Sequence, residues 1–198
     1  MAKIRNEVLS SVRTIWQSNF SAERINIFAP FHAHPIVLTR AIYERLTFNF
    51  HCHIRIYFGI DSKGDPKVIA VPAYKLDELD TENMENTWDD IVKADCIYEL
   101  YAGTVVTLEN ARAWITNWRT NSTNELFVSA FLFPRPNFID IFENQGKDYA
   151  LLDFGLKKEI KVMTQASDSN GVPLSSPVFG DNAMPCPPYC HKTSLLNG

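Results

Sequence analysis

The sequence predicts an α+β protein. It reads as one domain of two diverged helix–helix–β-hairpin repeats, with pseudo-twofold symmetry around an antiparallel sheet. Three observations predict this. Apolar residues recur every three to four positions in Ala2–Phe20 and again in Leu108–Arg119, which is helical spacing. Apolar and polar residues alternate in Phe50–Gly59 and again in Tyr149–Leu156, which is strand spacing. The order of these elements in the first half recurs in the second, as expected of a duplicated unit.

In the first half, Ile4, Val8, Val12, Ile15 and Trp16 line one side of a helix. The short apolar run Ile25–Phe31 suits strand or helix. Pro35 then stands where a first helical turn tolerates it, and Val37, Leu38, Ala41, Ile42 and Leu46 continue at helical period. In the strand that follows, Phe50, Cys52, Ile54, Ile56 and Phe58 face one way. His51, His53, Arg55 and Tyr57 face the other. Asp61–Pro66 is a turn cluster, and Lys67–Tyr74 reads as the returning strand of a hairpin.

The second half runs in the same order: a helix over Leu108–Arg119, a short apolar run at Glu125–Phe133, and a helix after Pro136. A strand over Tyr149–Leu156 and a partner over Ile160–Ala166 follow. Thr14–Asn19 resembles Thr116–Asn121, pairing Trp16 with Trp118. Pro35 pairs with Pro136. The Tyr-Phe-Gly-Ile end of the first strand pairs with the Asp-Phe-Gly-Leu end of the second. These matches set repeat 1 at residues 1–75, an acidic connector at 76–106, repeat 2 at 107–170 and an irregular tail at 171–198. The tail is rich in Ser, Pro, Gly and Asn.

The bulk numbers agree with a globular chain. Of 198 residues, 45% are hydrophobic and 12% aromatic, enough for a packed core. The net charge of −4 argues against nucleic acid, whose binders carry basic excess. Residues 75–105 concentrate this charge, with 9 acidic and 2 basic side chains. The block lacks the spaced calcium-loop pattern and reads as a solvated connector or a strip for a basic partner. No long apolar run predicts a membrane span. The first residues mix charges and lack the apolar run of a secretory signal. With four cysteines, the expected setting is the cytoplasm.

The Trp-containing helix, Ile54–Asp61, and the tail Pro185-Cys186-Pro187-Pro188-Tyr189-Cys190 followed by Leu196-Asn197 resemble a group of uncharacterised bacterial proteins. These combine a Tyr-Phe-Gly hairpin with a C-terminal Cys-Pro-Pro-x-Cys tail. The resemblance covers the hairpin, the second Trp helix and the tail. It implies a bacterial, cytoplasmic origin and no particular activity.

Two constellations carry chemistry. The strand row His51, His53, Arg55 and Tyr57 could hold an anion or offer two imidazoles to a metal. The plainer reading is that this is the wet face of an antiparallel sheet. The matching second-half positions, Lys147, Tyr149, Leu151 and Asp153, hold no histidine. In the tail, Cys186, Cys190 and His191 are donors that suit zinc, although three residues separate the cysteines where zinc knuckles place two. The plainer reading is a rigid strap anchored by Tyr189. His32 and His34 form a weak His-x-His pair beside Pro35. Trp16, Trp114 and Trp118 sit on helical stripes, where core packing is the default.

The phosphate-binding, nucleophile-elbow and zinc-helix motifs are all missing. The expectation is therefore a non-catalytic binding or interaction protein with no cofactor. The alternative is a metal- or thiol-dependent protein, zinc being the candidate, that uses the His51/His53/Arg55 face and the Cys186–His191 tail. A third reading is a self-associating structural component, a homo-oligomer.

Overall fold

A computed structural model describes residues 7–23, 27–48, 53–75, 88–90, 95–174, 178–180, 183–186 and 196. The chain is α+β, with two antiparallel sheets rather than one. The first half contributes β1 (Glu7–Val8), α1 (Ser10–Ala22), α2 (Ala29–His32), β2 (Ile36–Thr39), α3 (Arg40–Leu46), β3 (His53–Ile60) and β4 (Pro66–Lys75). The expected connector supplies β5 (Trp88–Asp90), β6 (Tyr98–Glu99) and β7 (Thr104–Val105). Then come α4 (Leu108–Arg119), β8 (Ala130–Phe133), α5 (Pro136–Ile139), a π-helical turn (Asp140–Asn144), β9 (Tyr149–Leu156) and β10 (Ile160–Ser167). The segment expected to be irregular adds β11 (Val178–Gly180) and β12 (Met184–Cys186).

Local chemistry accounts for the boundaries. Thr107 caps α4 by accepting from the Asn110 N–H, and Thr39 caps α3 by accepting from the Ile42 N–H. In the β3–β4 turn, the Asp61 carboxylate accepts from the N–H groups of Lys63 and Asp65, while Gly64 takes a φ of 90°. Those bonds, that from Asp65 first, hold the Asp61 carboxyl below its ordinary pKa. The turn after β10 repeats the device. Asp168 accepts from Asn170 and Val172, and Gly171 has a φ of 76°.

One sheet has five strands and the other seven. The first runs β1-β11-β10-β9-β2, and the second runs β7-β6-β4-β3-β8 with β12 added at its β8 edge. A further strand, β5, pairs with β4. Each sheet draws on both halves of the chain. The hairpin β9–β10 takes β2 from the first half, while the hairpin β3–β4 takes β8 from the second. The helices cross over likewise: α1 packs on β9 and α4 on β3.

The inner faces of the sheets meet in the main core. Ile54, Ile56 and Phe58 of β3 share it with Leu152 and Phe154 of β9, and the rings of Phe58 and Phe154 lie 5.8 Å apart. The helices cover the outer faces. Asn19 of α1 donates to the Leu156 carbonyl at 3.2 Å, and Asn117 of α4 donates to the Ile60 carbonyl at 2.9 Å. The result is four layers: helix, sheet, sheet, helix. Among the described residues, no helix is long and apolar enough to cross a membrane.

Candidate functional site

Burial corrects the expectation that the odd-numbered face of β3 is wet. Arg55 and Tyr57 are both 0% exposed, and α4 lies over Tyr57 through Ala111 and Ile115. Tyr57 packs with Ile69, Ala111, Ile115 and Leu196 in a second apolar cluster. Two polar groups in such a place need partners. Asp90 of β5, from the acidic block, provides them. Its Oδ1 accepts from the Arg55 guanidinium at 2.8 Å, and its Oδ2 accepts from the Tyr57 hydroxyl at 2.5 Å. Burial, reinforced by the Asp90 charge, pushes the Tyr57 phenol well above its ordinary pKa. Tyr57 therefore stays a hydrogen-bond donor. The cluster is closed to solvent and ties the connector to the sheet.

The other candidates are scattered. His53 is half-buried on β3 opposite Ala73, four residues along the strand from Tyr57. Cys186 stands on β12 opposite Ala130, which in turn faces Tyr57. His53 and Cys186 are thus offset by about 13 Å along the strands, at about 3.3 Å per residue. His51, Cys190 and His191 lie outside the described residues, as does Tyr189. Among the described residues, no group of three or more metal-ligating side chains comes together. Leu196 packs on the body: it is 1% exposed, and its carbonyl accepts from Arg119 at 3.1 Å. His32 packs edge-on against Phe20.

A groove of about 700 Å³ lies elsewhere, along β2. Thr39 and Val37 form one wall, with Tyr149 beside them, and Tyr101 and His34 stand in its lining. The two Asp-Ser-x-Gly turns reach it from opposite sheets, through Asp65 and Asn170. The loop after β6 is held in shape by Glu99, whose carboxylate accepts from the N–H groups of Tyr101 (3.1 Å) and Ala102 (2.6 Å). The Tyr101 hydroxyl donates to the Phe31 carbonyl at 2.9 Å. Burial and the nearby Glu99 raise its pKa, so this bond persists across the physiological range. His34 packs edge-on to the Tyr101 ring at 6.1 Å. Lys67 adds a cation on the same rim, 3.5 Å from the Asp61 carboxylate.

The groove also exposes backbone. Arg40 N–H donates to the Asp148 carbonyl, so Ile36, Leu38 and Arg40 direct their backbone groups toward β9. Val37 and Thr39 then direct theirs away from β9. Among the described residues, no strand pairs with that edge. The site thus combines mixed-charge side chains, two tyrosines and a strand edge able to donate and accept hydrogen bonds.

Sequence reasoning reached His34 but not Tyr101, Thr39, Tyr149 or the groove itself. The one local signal was the repeated Asp-Ser-x-Gly string at Asp61–Gly64 and Asp168–Gly171. Comparison with family models, with curated proteins and with solved structures finds no match to this chain.

Proposed function

We propose that this chain is a non-catalytic binding protein whose ligand sits in the β2 groove. The observation that carries this reading is the β2 edge, paired by no strand among the described residues and lining a groove of about 700 Å³, within the size range of ligand sites. Arg55, the cation of the strand row that first suggested chemistry, instead bonds Asp90 of the acidic connector inside the fold.

The same proposal includes descent from a duplicated unit whose two copies exchange parts. Four facts support it: the matching strand orders, the paired Asn19 and Asn117 bonds, the repeated Asp-Ser-x-Gly turns, and the contact of Phe58 with Phe154. On this reading β1 through α3 belong with the hairpin of the other copy, and the groove arose where the copies diverged.

The test is a ligand screen on the intact protein by amide NMR, using mixed small-molecule and peptide pools. The expected result is saturable shifts at Val37, Thr39, Tyr101 and Ala102. If no pool of either class moves those amides, the binding reading falls.

A further inference from the structure

We infer that the groove takes an extended peptide, added to β2 as an antiparallel strand in the way β12 is held on β8. This rests on the binding reading above and names its ligand.

The argument starts from the matched edges. β2 ends the first sheet where β8 would end the second, but β8 carries β12 and β2 carries no described strand. The chain therefore already displays what such an edge accepts. Phe58 N–H donates to the Ser129 carbonyl, so Ser129, Phe131 and Phe133 direct their backbone groups to β3. Ala130 and Leu132 direct theirs outward, to Cys186 and Met184. Pro185, opposite Phe131, falls at the position whose backbone points away from β8. Having no N–H, proline is suited to that position and excluded from its neighbours.

The same parity on β2 sets the ligand's chemistry. Peptide residues opposite Val37 and Thr39 need free N–H and C=O groups. The residue between them, opposite Leu38, needs no N–H and can be proline. It shares its face with Leu38, which is 0% exposed and belongs to the main core. Its side chain should therefore be apolar. Ala183, two residues before Pro185, is likewise buried against that core. The occupant is an extended segment of a partner protein with small apolar residues or proline at alternate positions. Tyr101–Gly103 and Ser169–Asn170 also line the groove beside Val37 and Thr39. Strand addition of this kind draws affinity from main-chain bonds and specificity from alternate side chains.

The experiment titrates intact protein with a synthetic peptide of the sequence of residues 182–188, serine replacing its cysteine. Amide shifts at Val37 and Thr39 are expected. N-methylation of the peptide residue on either side of the first proline should weaken binding about tenfold, the effect of removing one strand hydrogen bond. Val37→Pro should do the same, because its own N–H is not used by β9, and melting should confirm that it folds. Binding that is insensitive to N-methylation would overturn strand addition while leaving a ligand-binding groove. Small molecules that bind where no peptide does would have the same meaning. Shifts at Ala130 and Leu132 alone, from displacement of β12, would overturn it, as would a concentration-dependent dimer that occupies Val37 and Thr39 itself.

Discussion

Gly155 on β9 lies directly beneath Trp16 on α1: a Cβ added to the glycine would stand 2.7 Å from the tryptophan's own Cβ. Gly59 on β3 and Trp114 on α4 meet in the same way, at 2.8 Å. Neither glycine is in the left-handed region, so the requirement comes from space alone. The two helices can approach their sheets this closely only because the strands have no side chain there.

Alanine at either glycine is therefore expected to push a helix off its sheet. Gly155→Ala and Gly59→Ala should each cost about 1–3 kcal/mol, the range for overpacking a tight interior. Urea denaturation followed by tryptophan fluorescence measures this. Trp16→Ala should not rescue Gly155→Ala, because alanine retains the Cβ that clashes. A full rescue would show that the indole ring, not the backbone approach, sets the distance.

The buried Arg55–Asp90–Tyr57 cluster predicts a second, larger effect. Asp90→Ala leaves a guanidinium inside the protein without its carboxylate and should cost about 3–5 kcal/mol. Replacing the pair together, Arg55→Met with Asp90→Leu, should cost clearly less, because no charge is left stranded. Comparing the denaturation midpoints decides it. A double variant no more stable than Asp90→Ala alone would show that the bond Asp90 accepts from Tyr57, rather than charge compensation, is its main contribution.

Alkaline pH should unfold the protein through its buried phenols. Tyr43 is pushed up to about 12, first by burial and then by its bond to Glu143 at 2.6 Å. Tyr57 is raised as well. In the unfolded chain these groups lose their protons near pH 10. Above about pH 10 the folded form holds more protons than the unfolded one, so stability falls as pH rises toward 12. The contribution is fully present below pH 10. Thermal melts between pH 9 and 12 should show the decline, and Tyr43→Phe should flatten part of it. An unchanged slope in that variant would remove Tyr43 as a cause.

Much of the secondary structure was legible because it is local. Alternation in Ile54–Gly59, helical spacing in Leu108–Arg119 and the Asp61–Gly64 turn each depend on neighbours a few residues away. The helix register was not. Trp16 and Trp118 look like partners in the sequence, but the residues that press on the two paired glycines are Trp16 and Trp114. Trp114 and Trp118 are one helical turn apart, so the apolar stripe alone cannot choose between them.

The supposed wet face failed for a related reason. Period two separates the faces of a strand but does not say which is covered. Here both are, one by the opposing sheet and the other, around Tyr57, by α4. The polar residues on β3 were tolerated because Asp90, thirty-five positions away, completes their bonds. Cys96–Val106, which holds β6 and β7, suits strand or helix by sequence, and β11 and β12 fell in a segment read as irregular, because two or three residues carry too little periodicity to decide.

By itself, the sequence determined the class of fold, the two hairpins and most of α1 and α4, since those follow from backbone propensity and side-chain spacing within a segment. It read Val37 and Leu38 as the start of a helix, whereas Ile36–Thr39 is strand β2 and the helix begins only at Arg40. Only the tertiary structure decided that each hairpin takes its edge strand and its covering helix from the other half of the chain. It alone placed Arg55 and Tyr57 in the interior and left β2 open beside Tyr101. Those outcomes depend on contacts between residues about a hundred positions apart, such as Tyr43 with Glu143, and no local pattern encodes which distant surface a face will meet.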